Sequence, residues 1–260
     1  MFAIFCALGV YCFQGLFCEG NDMKELFTQI VENLSFIAIC AAIIVTLSLL
    51  AKLSERKLTL HNVSKARRVS IIGICSALAA VLHMLDFPLL FLAPEFYKLD
   101  FSELPVMLCG FFLGPSAAVA CEGIKILLKL LLKGTSTAFV GDFANFAVGC
   151  SLVLPAVIVY HIHKSRKSAL IGLIVGTLVL TVFGSAFNAI YLLPKFAQLY
   201  GMPLDTIIGM GSDIQPAISN VSTFVLLCVA PLNLIKGVMI SVLTLLLYKH
   251  VARPLFGRCA

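Results

Sequence analysis

The chain has 260 residues, 60% of them hydrophobic and 12% charged, with a net charge of +6 and a mean hydropathy of +1.04. A composition this apolar excludes an ordinary soluble domain and has room for about six to eight spanning helices of roughly 20 residues each. The ten cysteines form no C-x-x-C pair and lie mostly inside apolar runs, so they read as small hydrophobes rather than as a disulfide framework or a metal site.

Taken in order, residues 1–17 are apolar, without the basic start of a signal peptide, and read as a short span. Residues 18–33 are polar and acidic, with Glu19, Asp22, Glu25 and Glu32. A strong span at 34–53 follows, then the basic stretch "KLSERKLTLHNVSKARR". Further spans are predicted near 69–85, 104–117, 118–133, 139–160, 169–193 and 221–248, with a break at Gly114-Pro115.

The charges alternate with these spans. Lys52, Arg56, Lys57, Lys65, Arg67, Arg68, Lys164, Arg166, Lys167, Lys249, Arg253 and Arg258 fall on one set of loops, and the opposite loops hold only Lys24, Lys98 and Lys195. This is the positive-inside pattern, so the net charge marks membrane topology rather than a nucleic-acid surface. It places residues 86–103, 134–138 and 194–220 outside, and both termini in the cytoplasm if residues 1–17 span. Asp100 and Glu103 in "LDFSELPVML" then lie at the outer surface, and Asp100-Phe-Ser-Glu103 has the spacing of a capping box.

Ionisable and amide groups inside the spans are costly and mark interiors or aqueous cavities. Glu122, Lys125, Lys129 and Lys133 recur at helical spacing on one stripe. They read either as an internal ion pair with snorkelling lysines or as part of a ligand cavity. Asp142, Asn145 and Gly149 share a face of the next span, and Thr177, Thr181, Gly184 and Asn188 form a stripe on the one after. Gly172 and Gly176 are a small-x-x-x-small pair for close helix packing. Asn188 faces either water or a pocket. In "PLNLIKG", Asn233 and Lys236 sit one turn apart beyond Pro231, which frees a carbonyl one turn earlier. This lysine is too deep to snorkel, and the pair reads either as ligand contacts or as a buried hydrogen-bonded cluster.

Amides, hydroxyls and one deep lysine with aromatic residues nearby suit a flat heteroaromatic ligand with a polyhydroxyl tail. The sequence has no Walker A loop and no catalytic constellation, so it is not expected to be an enzyme.

Six stretches carry a resemblance: "EFYKLDFSELPVML", "FLGPSAAVACEGIKILLK", "GTSTAFVGDFANFAVG", "VLPAVIVY", "FNAIYLLP" and "PLNLIKG". Over about residues 68–250 the chain resembles the membrane-embedded substrate-binding (S) components of energy-coupling-factor (ECF) vitamin transporters, most closely the riboflavin-specific type. The resemblance implies an all-α polytopic membrane protein of the bacterial cell membrane. Its six-helix S-component bundle would occupy residues 68–260, with the C terminus cytoplasmic. Residues 1–67 would be an N-terminal extension with one or two extra transmembrane helices. It implies riboflavin as the transported ligand, no cofactor, and as partners a separate transmembrane coupling subunit and two ATPase subunits.

By matching motif, the resemblance assigns Asn188, Asn233 and Lys236 as ligand contacts, with Asn145, Thr135, Thr137, Leu99 and Phe101 as further substrate-binding candidates. "LDFSELP" becomes the end of a lid. Its acids face water or cap the next helix, and its apolar residues close over the vitamin. The face that docks the coupling subunit reads Gly73-Ile-Cys-Ser-Ala77, with Gly73 and Ala77 as its small residues. Three other readings fit the residues. In one, a self-sufficient secondary transporter carries a coupling proton on Glu122, Lys125 and Asp142. In another, the chain is a non-transporting membrane scaffold that binds no small molecule. In the third, it is an S component for another flavin or vitamin.

Overall fold

The computed structural model describes residues 22–58, 63–135, 137 and 139–256, with side chains for those between 38 and 248. The span read at 1–17 lies outside the described residues, as does Ser136 of the "GTST" segment. The described chain is mainly helical: α1 (Asp22–Arg56), α2 (Lys65–Met84), α3 (Glu103–Leu113), α4 (Pro115–Lys133), α5 (Val140–His163), α6 (Arg166–Phe187), α7 (Leu193–Tyr200), α8 (Leu204–Ser212), α9 (Val221–Phe224) and α10 (Ala230–Phe256). Two-residue strands, β1 (Phe87–Pro88) and β2 (Lys98–Leu99), pair antiparallel within the loop between α2 and α3. Among the described residues, five helical stretches are long and apolar enough to cross a bilayer: Ala38–Arg56, Lys65–Met84, Val140–His163, Arg166–Tyr200 and Val221–Tyr248.

Tertiary contacts divide the chain within α1, into Met1–Thr46 and Leu47–Ala260. The second unit begins about twenty residues before the boundary read at 67/68. The last turns of α1 belong to it through Glu55, whose Oε1 accepts from the backbone N–H and the hydroxyl of Ser116 at 2.9 and 2.6 Å. Arg68 on α2 donates to the same hydroxyl at 2.8 Å. A carboxylate there serves the free N–H groups and the positive end of α4.

Six helices, α2 to α6 and α10, form the bundle of the second unit. α6 lies along α5 and α10, and α2 packs on α4 and α3. The close approach of α6 to α5 depends on Gly172 and Gly176, where an added Cβ would come within 2.5 Å of the carbonyl oxygens of Ala156 and Leu152.

The break at Gly114-Pro115 sets the depth of the site. Gly114 has φ 102°, a conformation that L side chains rarely adopt, and it ends α3 and starts α4. Its neighbour Ser116 is bonded to Arg68, so the turn lies at the basic end of the bundle. α3 has 11 residues and rises about 16 Å, roughly half of a 30 Å hydrocarbon layer. Its first residue, Glu103, and the loop before it therefore reach to about mid-depth.

Two wide helical turns complete the frame. Asn188–Leu192 and Val225–Val229 are π-helical, each two residues before a proline, Pro194 and Pro231. A proline offers no N–H and crowds the carbonyl four residues earlier, and a wider turn relieves both. The first of these turns begins at Asn188, and the second leads into Asn233 and Lys236.

Candidate functional site

At mid-depth three acidic and three basic side chains meet. Lys236 on α10 donates to Glu103 Oε1 at 2.9 Å and to Asp100 Oδ2 at 3.3 Å. Asp100 Oδ2 also faces His83 Nδ1 on α2 at 3.3 Å. Lys125 on α4 pairs with Glu122 one turn away, lies 3.5 Å from Glu103 Oε1 and donates to Ser102 Oγ at 3.0 Å. All six charged or titratable residues are buried. Glu122 lies against Gly149 of α5, where a Cβ would clash with its Oε1. Such a cluster holds together only because each charge has a partner, since an unpaired ion at this depth costs several kcal/mol.

The acidic pair corrects the sequence reading. Asp100 and Glu103 were expected in water or capping the next helix, but only 3% and 1% of their surface is exposed. The N-cap of α3 is Ser102, without a side-chain cap, and Asp100 Oδ1 accepts instead from the Ser102 N–H at 2.8 Å. The shortness of α3 is the cause: the residues before it end inside the bundle, beside two lysines.

Beside this cluster lie the two asparagines. Asn188 Nδ2 donates to Gly184 O at 2.7 Å, and Asn188 Oδ1 accepts from the Tyr97 hydroxyl at 2.8 Å. Asn233 approaches Gly184 so closely that a Cβ there would lie 2.7 Å from its Nδ2. That Nδ2 is buried and has no hydrogen-bond partner among the described residues. The structure thus gathers Asn188 and Asn233 around Gly184, and Lys236 follows Asn233 by three residues, one helical turn on.

The remaining sequence candidates are placed as follows. Leu99 is buried in β2, paired with Phe87, and Phe101 is half-buried with its ring 6.1 Å from that of Phe87. Asn145 is half-buried on α5. Thr135 and Thr137 are engaged in their own turn. Thr135 Oγ1 accepts from Phe139 N at 3.0 Å, which holds Phe139 in a left-handed conformation with φ 67°, and Thr137 Oγ1 accepts from Gly141 N at 3.0 Å. Gly73 and Ala77 are exposed on α2, and nothing lies within 4 Å of a Cβ built at Gly73. On the lysine stripe, Lys129 pairs with Asp142, whereas Lys133 reaches Asp86 at 3.3 Å with 46% of its side chain exposed.

Sequence reasoning missed His83, gave Tyr97 only as one of the aromatic residues near the ligand and not as a partner of Asn188, and misjudged Asp100 and Glu103. One signal was available for the acids. Lys125 and Lys236 are too deep to snorkel, and Glu122 alone cannot balance both. A second buried carboxylate was required, and "LDFSELP" is the acidic stretch that adjoins the next span. No comparable signal pointed to His83, a single histidine in an apolar run.

The comparisons with known proteins agree with one another. The profile of the family described as ECF transporter, substrate-specific component, matches residues 67–248. The chain is 37% identical over 191 residues to the riboflavin transporter RibU of Staphylococcus aureus (strain TCH60), covering 74% of this chain and 93% of that protein. It is 29% identical to the riboflavin transporter FmnP of Bacillus subtilis (strain 168), covering 71% and 91%. A solved structure of the S component of a bacterial ECF transporter matches with a TM-score of 0.58 at 35% identity, over 74% of this chain and 99% of that one.

Proposed function

The chain belongs to the substrate-specific components of ECF transporters, and from that membership we propose that it captures riboflavin as the substrate-binding subunit of an importer. It is a multi-pass membrane protein with a role in transport rather than catalysis. The vitamin enters from the outer side, beneath the loop between α2 and α3.

The observation that carries this reading is the buried, unpartnered Asn233 Nδ2 beside Asn188 and Lys236. An amide donor without a partner at this depth costs about 1–3 kcal/mol unless a ligand acceptor meets it. The flavin ring presents two carbonyls flanking an N–H along one edge, an alternation that amides and an ammonium complement. Two protons of Lys236 are directed at Asp100 and Glu103, which leaves one for a ring carbonyl. Leu99 and Phe101 supply apolar cover from the loop. The Staphylococcus aureus and Bacillus subtilis relatives are both named as riboflavin transporters.

Membership of the family supports energy coming from a separate transmembrane coupling subunit and two ATPases, and this sequence shows no phosphate-binding loop of its own. The small-residue face of α2 at Gly73 and Ala77 is the docking face, and its openness supports that role. Lys249 and Arg253 in the last turns of α10 and Arg258 beyond it support a cytoplasmic C terminus.

Purified full-length protein from riboflavin-replete cells should be yellow, with a flavin spectrum, and the ligand-stripped protein should quench added riboflavin. Colourless protein that fails to quench overturns the proposal. Gly73→Phe should leave quenching intact and abolish uptake in cells that carry the coupling subunits. Loss of both together would make that face internal packing instead.

A further inference from the structure

We infer that Tyr97 is a positioning residue, which orients the Asn188 amide for the ligand and ties that amide to the loop covering the site. The inference rests on the flavin-binding reading of the site.

The Asn188 amide has two donors and an oxygen with two lone pairs. Its Nδ2 donates to Gly184 O, which can only accept, so the nitrogen end is fixed toward the helix. The oxygen end therefore faces Tyr97, whose hydroxyl donates to it at 2.8 Å. One N–H and one lone pair remain free in known directions. Without Tyr97 the oxygen end loses its one donor among the described residues, and the amide is held at one end alone.

Tyr97 is itself held by packing. Its ring centroid lies 4.7 Å from that of Phe96 and 6.2 Å from that of Phe224 at the end of α9. Phe96 in turn lies 6.1 Å from Phe196 of α7, and the Tyr97 N–H donates to Pro94 O at 2.9 Å. Three residues further on, Asp100 fastens the same loop to Lys236 and His83. The loop is thus tied at two points, each of which ends on a residue assigned to the ligand. When the loop lifts, Asn188 and Lys236 both lose a partner, so loop opening and ligand release are linked. Such a linkage acts on dissociation more than on association.

The test is stopped-flow quenching of riboflavin by the purified full-length protein. Tyr97→Phe keeps the ring and removes only the hydroxyl. It should raise the dissociation rate about tenfold, the scale of one hydrogen bond, and change association less than about twofold. The ligand-free melting temperature should fall by only a few degrees, the scale of one buried hydrogen bond. In an Asn188→Ala background the same substitution should change dissociation less than about twofold, because its target is gone. Asn188→Leu, which keeps the shape of the side chain but has no acceptor, is the alternative background if the alanine variant does not fold. An unchanged dissociation rate in Tyr97→Phe, with or without a lower melting temperature, overturns the inference. So does equal acceleration in both backgrounds, which would mean that Tyr97 acts elsewhere. Wild-type protein that binds no flavin overturns this inference and the proposed function together, whereas wild-type binding with an unmoved variant overturns this inference alone.

Discussion

The two ends of the bundle are equally dry but are held together differently. Toward the basic end, α3, α4, α5 and α10 meet through apolar and aromatic surface. Phe111 stacks on Tyr160 at 4.5 Å, Tyr160 and Tyr248 share a hydrogen bond of 2.6 Å, and Leu152 and Val157 are wholly buried. At mid-depth three of these helices, α3, α4 and α10, joined by α2 and the loop, meet through Asp100, Glu103, Glu122, Lys125, Lys236 and His83. Dispersion packing tolerates small errors, because each contact is weak and the sum is large. A buried ionic cluster tolerates few, because removing one member strands another. Stability and ligand recognition are therefore separable at the basic end and entangled at mid-depth.

The strongest challenge to this contrast is Glu103→Ala. It removes a carboxylate shared by Lys236 and Lys125 and should destabilise the protein by about 3–5 kcal/mol, with riboflavin binding lost in the folded remainder. Thermal unfolding in detergent and flavin quenching measure the two effects. A mild stability loss with full binding would mean that the cluster is not an electrostatic unit. Leu152→Ala is the matching test at the basic end. It should cost about 2–5 kcal/mol through the cavity it leaves, while folded protein binds riboflavin with wild-type affinity. Weakened binding there would erase the separation between the two ends.

Asn233→Ala sharpens the mid-depth end further. It should reduce riboflavin affinity roughly ten- to a hundredfold, or about 1–3 kcal/mol, and leave thermal stability unchanged or slightly higher, because the unpartnered donor disappears. Wild-type affinity by fluorescence titration would remove Asn233 from the site. The smallest effect belongs to Lys133→Gln. Its partner Asp86 is also reached by Lys98 at 3.7 Å, and Lys133 is nearly half exposed. Such a pair should contribute under about 1 kcal/mol and fade with salt. A loss comparable to Glu103→Ala would show that exposure does not separate the two kinds of ion pair.

Much of the fold was legible because lipid leaves few choices. A run of about 20 apolar residues has to be a helix, and alternating basic loops set its direction. The span limits at 69–85 and 139–160 lie close to α2 and α5. Gly114-Pro115 announced its own break, and Gly172 and Gly176 announced close packing. Asn188, Asn233 and Lys236 stood out because amides and ammonium groups are expensive where they lie.

What the residues alone determined, then, was the solvent, the helices and the short list of costly polar groups. Each follows from the local transfer energy of a side chain or a peptide group. Tertiary structure decided the partners. Asp100 and Glu103 looked like surface charge because the sequence does not state how deep a loop descends. That depth depends on the 11-residue length of α3 measured against its neighbours. Lys236 and Glu103 are separated by 133 residues, and Tyr97 and Asn188 by 91. No periodicity connects such pairs, because periodicity reports which face of a helix a residue occupies, not which helix that face will meet.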